Sequence, residues 1–287
     1  MFNSTILDVV AGLLFTFLTV SLVASTVTEG LASLLGWRAQ MLLRGVKSLL
    51  NDPHFTGLAK DLYNHALVNS QASGTAQTEN ALAVKPSYIE PQHFAGALID
   101  LMEKLPATRT QTQTQIQAAI LQIPNPQLQQ TLQFFYTRAG ADITTFQNEI
   151  ATWFDSSMSR LSGLYKRWMQ ICSFAVGLGV AVVLNVDALH VAQALWVQPA
   201  IIQKFAPKEG INTQEALDAL YNANLPIGWS QQTARASFAS PLAIASLMGG
   251  WLITAFATLF GAPFWFDALQ KITNLRGAGP KPNEKKR

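Results

Sequence analysis

The chain has 287 residues, of which 49% are hydrophobic and 13% are charged, about half the charged share of an ordinary globular protein. Its formal net charge is only +3, and no dense basic face accompanies it, which argues against a nucleic-acid-binding protein. The single cysteine, Cys172, excludes an internal disulfide framework and any cysteine-based zinc site. The composition therefore predicts an integral membrane protein whose first partner is the lipid bilayer.

The first long apolar segment lies near the N-terminus. Residues 9–27 carry no charge, and the short leader before them contains Asp8 but neither Lys nor Arg. A cleaved signal peptide is the alternative, because Val23-Ala24-Ser25 offers small residues. This apolar segment is, however, longer than the roughly 7–15 residues of a signal-peptide core. We therefore predict a retained transmembrane helix.

An amphipathic segment follows the first predicted span. Apolar residues recur at helical spacing from Leu31 to Leu50. The cationic residues that fall among them are Arg38, Arg44 and Lys47. This pattern predicts an elbow helix that lies on the inner leaflet, with Trp37 at the interface. The alternative is a longer helix whose lower half packs on the soluble part of the protein.

The next stretch, residues 53–164, predicts a cytoplasmic helical domain. Asn51-Asp52-Pro53 is a turn signal that ends the elbow helix. Several helical patterns follow, separated by a polar loop at 69–84 and by Pro124-Asn125-Pro126. We find no alternating run long enough for a strand, so the predicted fold is all-α.

A charge-free run from Trp168 to Leu184 predicts the second transmembrane helix. Lys166 and Arg167 come directly before it, and eleven of the 20 Lys and Arg residues lie between residues 28 and 167. Because basic residues beside a span stay in the cytoplasm, we predict that the N-terminus lies outside and the helical domain inside.

The C-terminal part predicts a small helical extracytoplasmic cap and a third span. Asp187 and Asn212 are the expected N-caps of two cap helices. The charge-free run 242–266 predicts the third span, with Pro263 kinking its last turn. A basic tail, rich in Gly and Pro, is expected to be flexible and to lie inside. The predicted divisions of the chain are 1–27, 28–52, 53–164, 165–186, 187–240, 241–267 and 268–287.

Small residues recur every four positions in two of the predicted spans. They are Ser173, Gly177 and Ala181, then Ala245 with Gly249, and Ser246 with Gly250. Such stripes let helix backbones approach closely. They predict packing within one chain, ahead of the alternative in which they join copies into a homo-oligomer. The predicted spans contain no charged residue, which argues against an ion or proton path.

The sequence shows no catalytic or cofactor-binding motif. His54, Asp61, His65 and His93 share the predicted cytoplasmic domain, but their spacing matches no metal-ligand motif. The serines within 156–159 lack the GxSxG context of a hydrolase nucleophile. We therefore predict no catalytic, cofactor or metal site, and a protein that is not an enzyme.

Six short motifs are spread over nearly the whole chain. They are Pro86-Ser-Tyr-Ile-Glu-Pro91, Trp153-Phe-Asp-Ser-Ser-Met158, Leu164-Tyr-Lys-Arg-Trp168, Leu184-Asn-Val-Asp187, Gly261-Ala-Pro-Phe-Trp-Phe-Asp267 and Asn274-Leu-Arg-Gly277. Together they resemble a widespread family of uncharacterised bacterial membrane proteins. The resemblance implies a bacterial inner-membrane location and supports the three-span plan. It carries over no catalytic or binding residue.

These observations favour a non-enzymatic membrane scaffold or anchoring subunit that engages a protein partner or the inner leaflet. The alternative is an oligomeric channel or transport component, which requires several copies because three spans leave little room for a pathway. A membrane enzyme is a further alternative, resting only on scattered His and Asp residues.

Overall fold

The computed structural model describes residues 5–104, 112–140, 142–197, 212–222 and 225–277. Of these residues 76% are helical and none lies in a strand, so the all-α prediction is confirmed for the described part of the chain. In chain order the α-helices are α1 Thr5–Leu34, α2 Trp37–Leu49, α3 Leu58–Tyr63, α4 Pro91–Glu103, α5 Thr112–Leu121, α6 Pro126–Arg138, α7 Ile143–Val183, α8 Ala188–Val197, α9 Thr213–Asn222, α10 Gln231–Ser237, α11 Pro241–Thr258 and α12 Gly261–Gly277. A short 3-10 helix covers Glu79–Ala81.

The chain forms two compact units. Unit 1 comprises Met1–Leu31 and Trp168–Arg287, and unit 2 is Ala32–Arg167. Unit 2 therefore takes in most of the predicted elbow as well as the predicted helical domain. Its core contains stacked rings of Phe94 and Phe154, whose centroids lie 4.0 Å apart and whose side chains are almost fully buried.

The elbow helix packs on protein through its apolar face. α1 continues to Leu34, and the chain turns at Gly36, whose φ of 58° favours glycine. In α2, Leu42, Leu43 and Val46 are buried in the core of unit 2. Packing on protein, the alternative to an elbow that faces lipid, is thus confirmed for this face. Leu34, in contrast, is 85% exposed.

All or part of each candidate membrane helix lies in unit 1. Ile6–Leu34 and Pro241–Thr258 are each long and apolar enough to cross a membrane. Ile143–Val183 and Ala188–Val197 meet the same criterion together, as a pair bent by 53°, so the described residues offer two spans or up to three. α1, α8, α9 and α12 contribute side chains to one cluster of buried apolar residues, among them Phe15 and Leu195.

The predicted third span ends earlier than expected. α11 stops at Thr258, and Gly261, with a φ of 76°, begins α12. Pro263 therefore lies in the first turn of a separate helix, where proline is tolerated, and does not kink the span. α12 runs to Gly277 with Leu269 buried, so the flexible tail predicted from residue 268 does not begin there. Residues 278–287 lie outside the described part.

The small-residue stripe of α7 packs within the chain. A Cβ atom built on Gly177 would lie 2.5 Å from the hydroxyl oxygen of Thr258 in α11. Ala181, one turn further on, is fully buried. α7 and α11 therefore approach each other closely at Gly177, which agrees with the predicted packing within one chain. In α11, Ala245 and Ser246 remain exposed.

Candidate functional site

The histidines considered as metal ligands do not come together. Among the described residues, no group of three or more His, Cys, Asp or Glu side chains could hold a metal ion. Only one of the four candidate ligands meets an acidic side chain: Nε2 of His65 lies 2.8 Å from Oδ2 of Asp100. Nδ1 of His65 accepts a hydrogen bond from the backbone N–H of Leu67 at 3.2 Å. The ring proton therefore sits on Nε2, which donates a hydrogen bond to Asp100. With both ring nitrogens occupied, His65 has no lone pair available for a general base.

Asp100 and Asp52 serve the local structure. Asp100 also accepts from Lys104, and the hydrogen bonds from Lys104 and His65 hold its pKa below the usual value. Asp52, in the predicted turn, accepts backbone N–H groups of Thr56, Gly57, Ala59 and Lys60. Burial alone would raise the pKa of Asp52, but these four donors outweigh it and the pKa is lowered. Asp52 is therefore an ionised cap for α3.

A surface groove in unit 2 lies between α2, α6 and α7. Its volume is about 410 Å³. Trp153 lies in it half-buried, and Leu164 contributes a 57% exposed side chain. Arg160 is the one charged residue among the described residues of the lining, and its guanidinium donates to the hydroxyl of Ser157 at 3.0 Å. We call this depression the Trp153 groove.

A smaller cavity, of about 190 Å³, lies between α2, residues 87–91 and α7. Its apolar lining includes Leu42, Ile89 and Phe154, all of which are buried. The polar groups of its lining are Arg38, Ser87, Tyr88, Asp155, Ser159, Ser162 and Tyr165. We call it the Arg38 cavity.

The two charges of the Arg38 cavity do not neutralise each other. No ion pair links Arg38 to Asp155, and neither forms one with any other described residue. On the acidic side, the hydroxyl of Tyr88 donates to Oε2 of Glu90 at 3.0 Å. This hydrogen bond is the main reason that the pKa of Tyr88 lies above its usual value, and the charge of Asp155 adds to the rise. The cavity thus presents an unpaired cation and an unpaired carboxylate.

A polar cluster lies in unit 1 at the break between α7 and α8. Asn185, at a φ of 48°, is 3% exposed. Its amide donates to the carbonyl of Gly228 at 3.1 Å and accepts the indole N–H of Trp251 at 3.2 Å. Thr254, also buried, donates its hydroxyl to the carbonyl of Val186 at 2.8 Å. The hydroxyl of Thr254 thus satisfies a backbone carbonyl that lies at the break and has no partner within the helix.

Asp187 belongs to the same cluster. Its Oδ1 accepts the backbone N–H groups of Leu189 and His190, which confirms the predicted N-cap of α8. The carboxylate lies directly over Gly250, because a Cβ atom built there would fall 1.7 Å from Oδ1. Only glycine leaves room for this contact.

The break lies beside the middle of α11. Gly250 is the tenth of the 18 residues of that helix, about 13 Å along its axis from Pro241. Both α7 and α8 contact α11: the rings of Phe174 and Phe256 lie 4.9 Å apart, and Leu189 of α8 lies 3.9 Å from a Cβ atom built on Gly249. Asp187 is therefore not at the end of its apolar helix pair. It lies between the two helices of this pair and outside the charge-free run 168–184.

Comparisons with protein-family models, with curated proteins and with solved structures found no match to this chain.

Sequence reasoning named no site residue, and the structure adds the Trp153 groove, the Arg38 cavity and the Asn185–Asp187 break. The signal for the break was present: Asn185 and Asp187 lie two positions apart, between two apolar segments. The sequence prediction assigns these residues to the outer end of the second span. The cavity had no local signal, since residues 38, 88 and 155 are far apart in the chain.

Proposed function

We propose that the protein is a multi-pass protein of the bacterial inner membrane that crosses the bilayer three times. The spans are α1, the broken pair α7 and α8, and α11. The broken span is supported by the contacts that both α7 and α8 make with α11. The orientation is supported by the eleven Lys and Arg between residues 28 and 167, because basic residues beside a span stay in the cytoplasm. The N-terminus then lies outside and the C-terminus inside.

Cysteine labelling tests this topology. Single cysteines at Ser73, Asn222 and Asn283, placed in a Cys172→Ser background, report three segments separated by the proposed spans. We expect an impermeant maleimide added to whole cells to label position 222 only. Labelling of position 73 from outside would contradict the proposed orientation.

Within this frame we propose a non-enzymatic scaffold or anchoring subunit, and the Trp153 groove is the observation that carries the proposal. The groove presents a half-buried tryptophan and an arginine, and no other charged residue among its described lining. Tryptophan and arginine are among the residue types that dominate protein–protein binding energies. The occupant that suits it is a polypeptide segment of a partner, with an aliphatic side chain against Trp153 and a carboxylate near Arg160.

Two neighbouring serines allow a matched test. Ser157 lines the groove, whereas Ser156 is exposed and is not part of it. We expect a photo-crosslinking amino acid at position 157 to give a discrete adduct in intact cells, and the same amino acid at 156 to give none. Equal adducts from both positions, or none from 157 in correctly inserted protein, would refute the scaffold role of this groove.

A transport component is a second candidate, which the polar break at Asn185–Asp187 favours. Discontinuous membrane helices supply ion and solute sites in transporters, and an ionisable residue at this depth is a reason to test for one. Proteoliposomes loaded with a panel of ions should show flux that an Asp187→Asn substitution abolishes. Absence of flux above empty liposomes would leave the break with its structural role alone.

A further inference from the structure

The Arg38 cavity is suited to a small dipolar ligand. At about 190 Å³ it is smaller than the roughly 300–1,000 Å³ pockets that take drug-sized molecules. It combines an apolar lining with an unpaired cation and an unpaired carboxylate. The hydroxyls of Ser87, Ser159 and Tyr165 form no hydrogen bond with another described residue and remain available to a ligand. A single charge in the ligand would match only one of the two charged groups.

We propose that this cavity binds a phospholipid headgroup that carries both a phosphate and a primary ammonium, that is, phosphoethanolamine. The guanidinium of Arg38 is the phosphate ligand, because it presents planar, paired N–H donors to phosphate oxygens. Asp155 faces the ammonium, with Tyr88 and Glu90 on the same acidic side. Ser159 and Tyr165 contribute hydroxyls to either group.

The position of the cavity along the chain favours a lipid over a soluble phosphoester. Arg38 follows the last residue of the candidate span Ile6–Leu34 by four positions. Tyr165 precedes the charge-free run that starts at Trp168 by three positions. Both residues therefore lie within four positions of a candidate membrane segment in the sequence, which favours a headgroup at the bilayer surface as the ligand. The inference rests on the proposed membrane location and not on a partner for the Trp153 groove.

The test uses the purified full-length protein in neutral detergent, with lipids of identical acyl chains. Native mass spectrometry measures binding of phosphatidylethanolamine, phosphatidylcholine and phosphatidylglycerol. Soluble glycerophosphoethanolamine and inorganic phosphate are added as competitors, which separates a lipid site from a site for free phosphate. Two arginines of α2 provide a matched pair, since Arg38 lines the cavity and Arg44 is exposed outside it.

We expect phosphatidylethanolamine to bind best of the three lipids. Arg38→Gln should weaken its binding about tenfold, the loss expected for charge-assisted hydrogen bonds, while Arg44→Gln should change it by less than about twofold. Asp155→Asn should remove a preference of about threefold for phosphatidylethanolamine over phosphatidylcholine, because choline lacks N–H donors.

Equal binding by Arg38→Gln and Arg44→Gln would overturn the proposal. So would displacement of the lipid by equimolar glycerophosphoethanolamine or phosphate, which would make the ligand a soluble phosphoester. If the Arg38→Gln variant does not fold, as judged by the loss of its cooperative helical melting transition, the Arg38→Lys variant is measured instead. Lysine keeps the charge without the paired donors, and we expect binding between that of wild type and about one-tenth of it. Cysteine labelling tests the membrane topology independently, so a wrong topology can be distinguished from the absence of a lipid site.

Discussion

Adjacent glycines in α11 give a stringent test of the polar break. Gly250→Ala places a methyl group 1.7 Å from the present position of Asp187 Oδ1, so the carboxylate must leave its cap. Gly249→Ala, one residue earlier, meets only Leu189 at 3.9 Å, an ordinary contact. The two substitutions are chemically identical, occupy the same helix and differ only in what faces them.

The expected cost follows from three contributions. Overpacking costs about 1–3 kcal/mol, and loss of an N-cap costs about 1 kcal/mol. The higher helix propensity of alanine stabilises both variants by about 1 kcal/mol. Gly250→Ala should therefore destabilise the protein by about 2 kcal/mol, which lowers the melting midpoint by about 4–8 °C, whereas Gly249→Ala should leave it equal or slightly raised.

The assay is thermal unfolding in detergent, followed by tryptophan fluorescence. A third variant, Asp187→Ala, removes the group that the new methyl meets. We expect Gly250→Ala to add almost nothing in that background, so the double-mutant cycle gives a coupling energy of about 2 kcal/mol. If the two glycine variants melt together, or if the effects of Gly250→Ala and Asp187→Ala simply add, Asp187 does not lie over Gly250 and the account of the break fails.

Three further tests follow from the contacts. Gly177→Val should lower the melting midpoint because its side chain would meet Thr258, whereas Gly179→Val, with nothing within 4 Å of its Cβ position, should not. Asp52→Asn should cost about 1–2 kcal/mol at neutral pH. Because the folded-state pKa of Asp52 lies below the ordinary 3.8, its contribution is present above about pH 4 and is lost as the pH falls through the folded-state value, so the difference between wild type and variant should vanish in acid denaturation curves. Leu42→Asp should unfold unit 2 in hydrogen-exchange measurements, since it buries an unpaired charge, while Leu34→Asp at an exposed position should leave unit 2 folded.

Features encoded by neighbouring residues were predictable from the sequence. The N-caps are an example: Asn212 accepts the N–H of Glu215 at 2.9 Å, as its spacing predicted. The apolar helices were predictable for the same reason, because a helix is specified by residues three and four apart. The early end of α11 was not, since it depends on the left-handed conformation of Gly261 and on the side chains that pack on α12.

Features made by distant residues left no trace in the sequence pattern. The polar loop at 69–84 shows little secondary structure, yet Asn64 pairs with both the N–H and the carbonyl of Ala76, and Asn69 donates to the carbonyl of Val84. The Arg38 cavity and the contact between Asn185 and Trp251 likewise join segments many residues apart. No periodicity or motif spacing specifies which distant partner an amide or guanidinium will meet.

The geometry at residue 185 leaves it almost no freedom to vary. A φ of 48° admits glycine, asparagine and aspartate more readily than other residues. Glycine has no side chain to bond, and aspartate cannot donate to the carbonyl of Gly228 while it accepts from Trp251. Glutamine has both groups, but its longer side chain lacks the tolerance for this backbone. In a saturation library at this codon, selected only for correct membrane insertion and folding, asparagine should be the one residue that survives at high frequency.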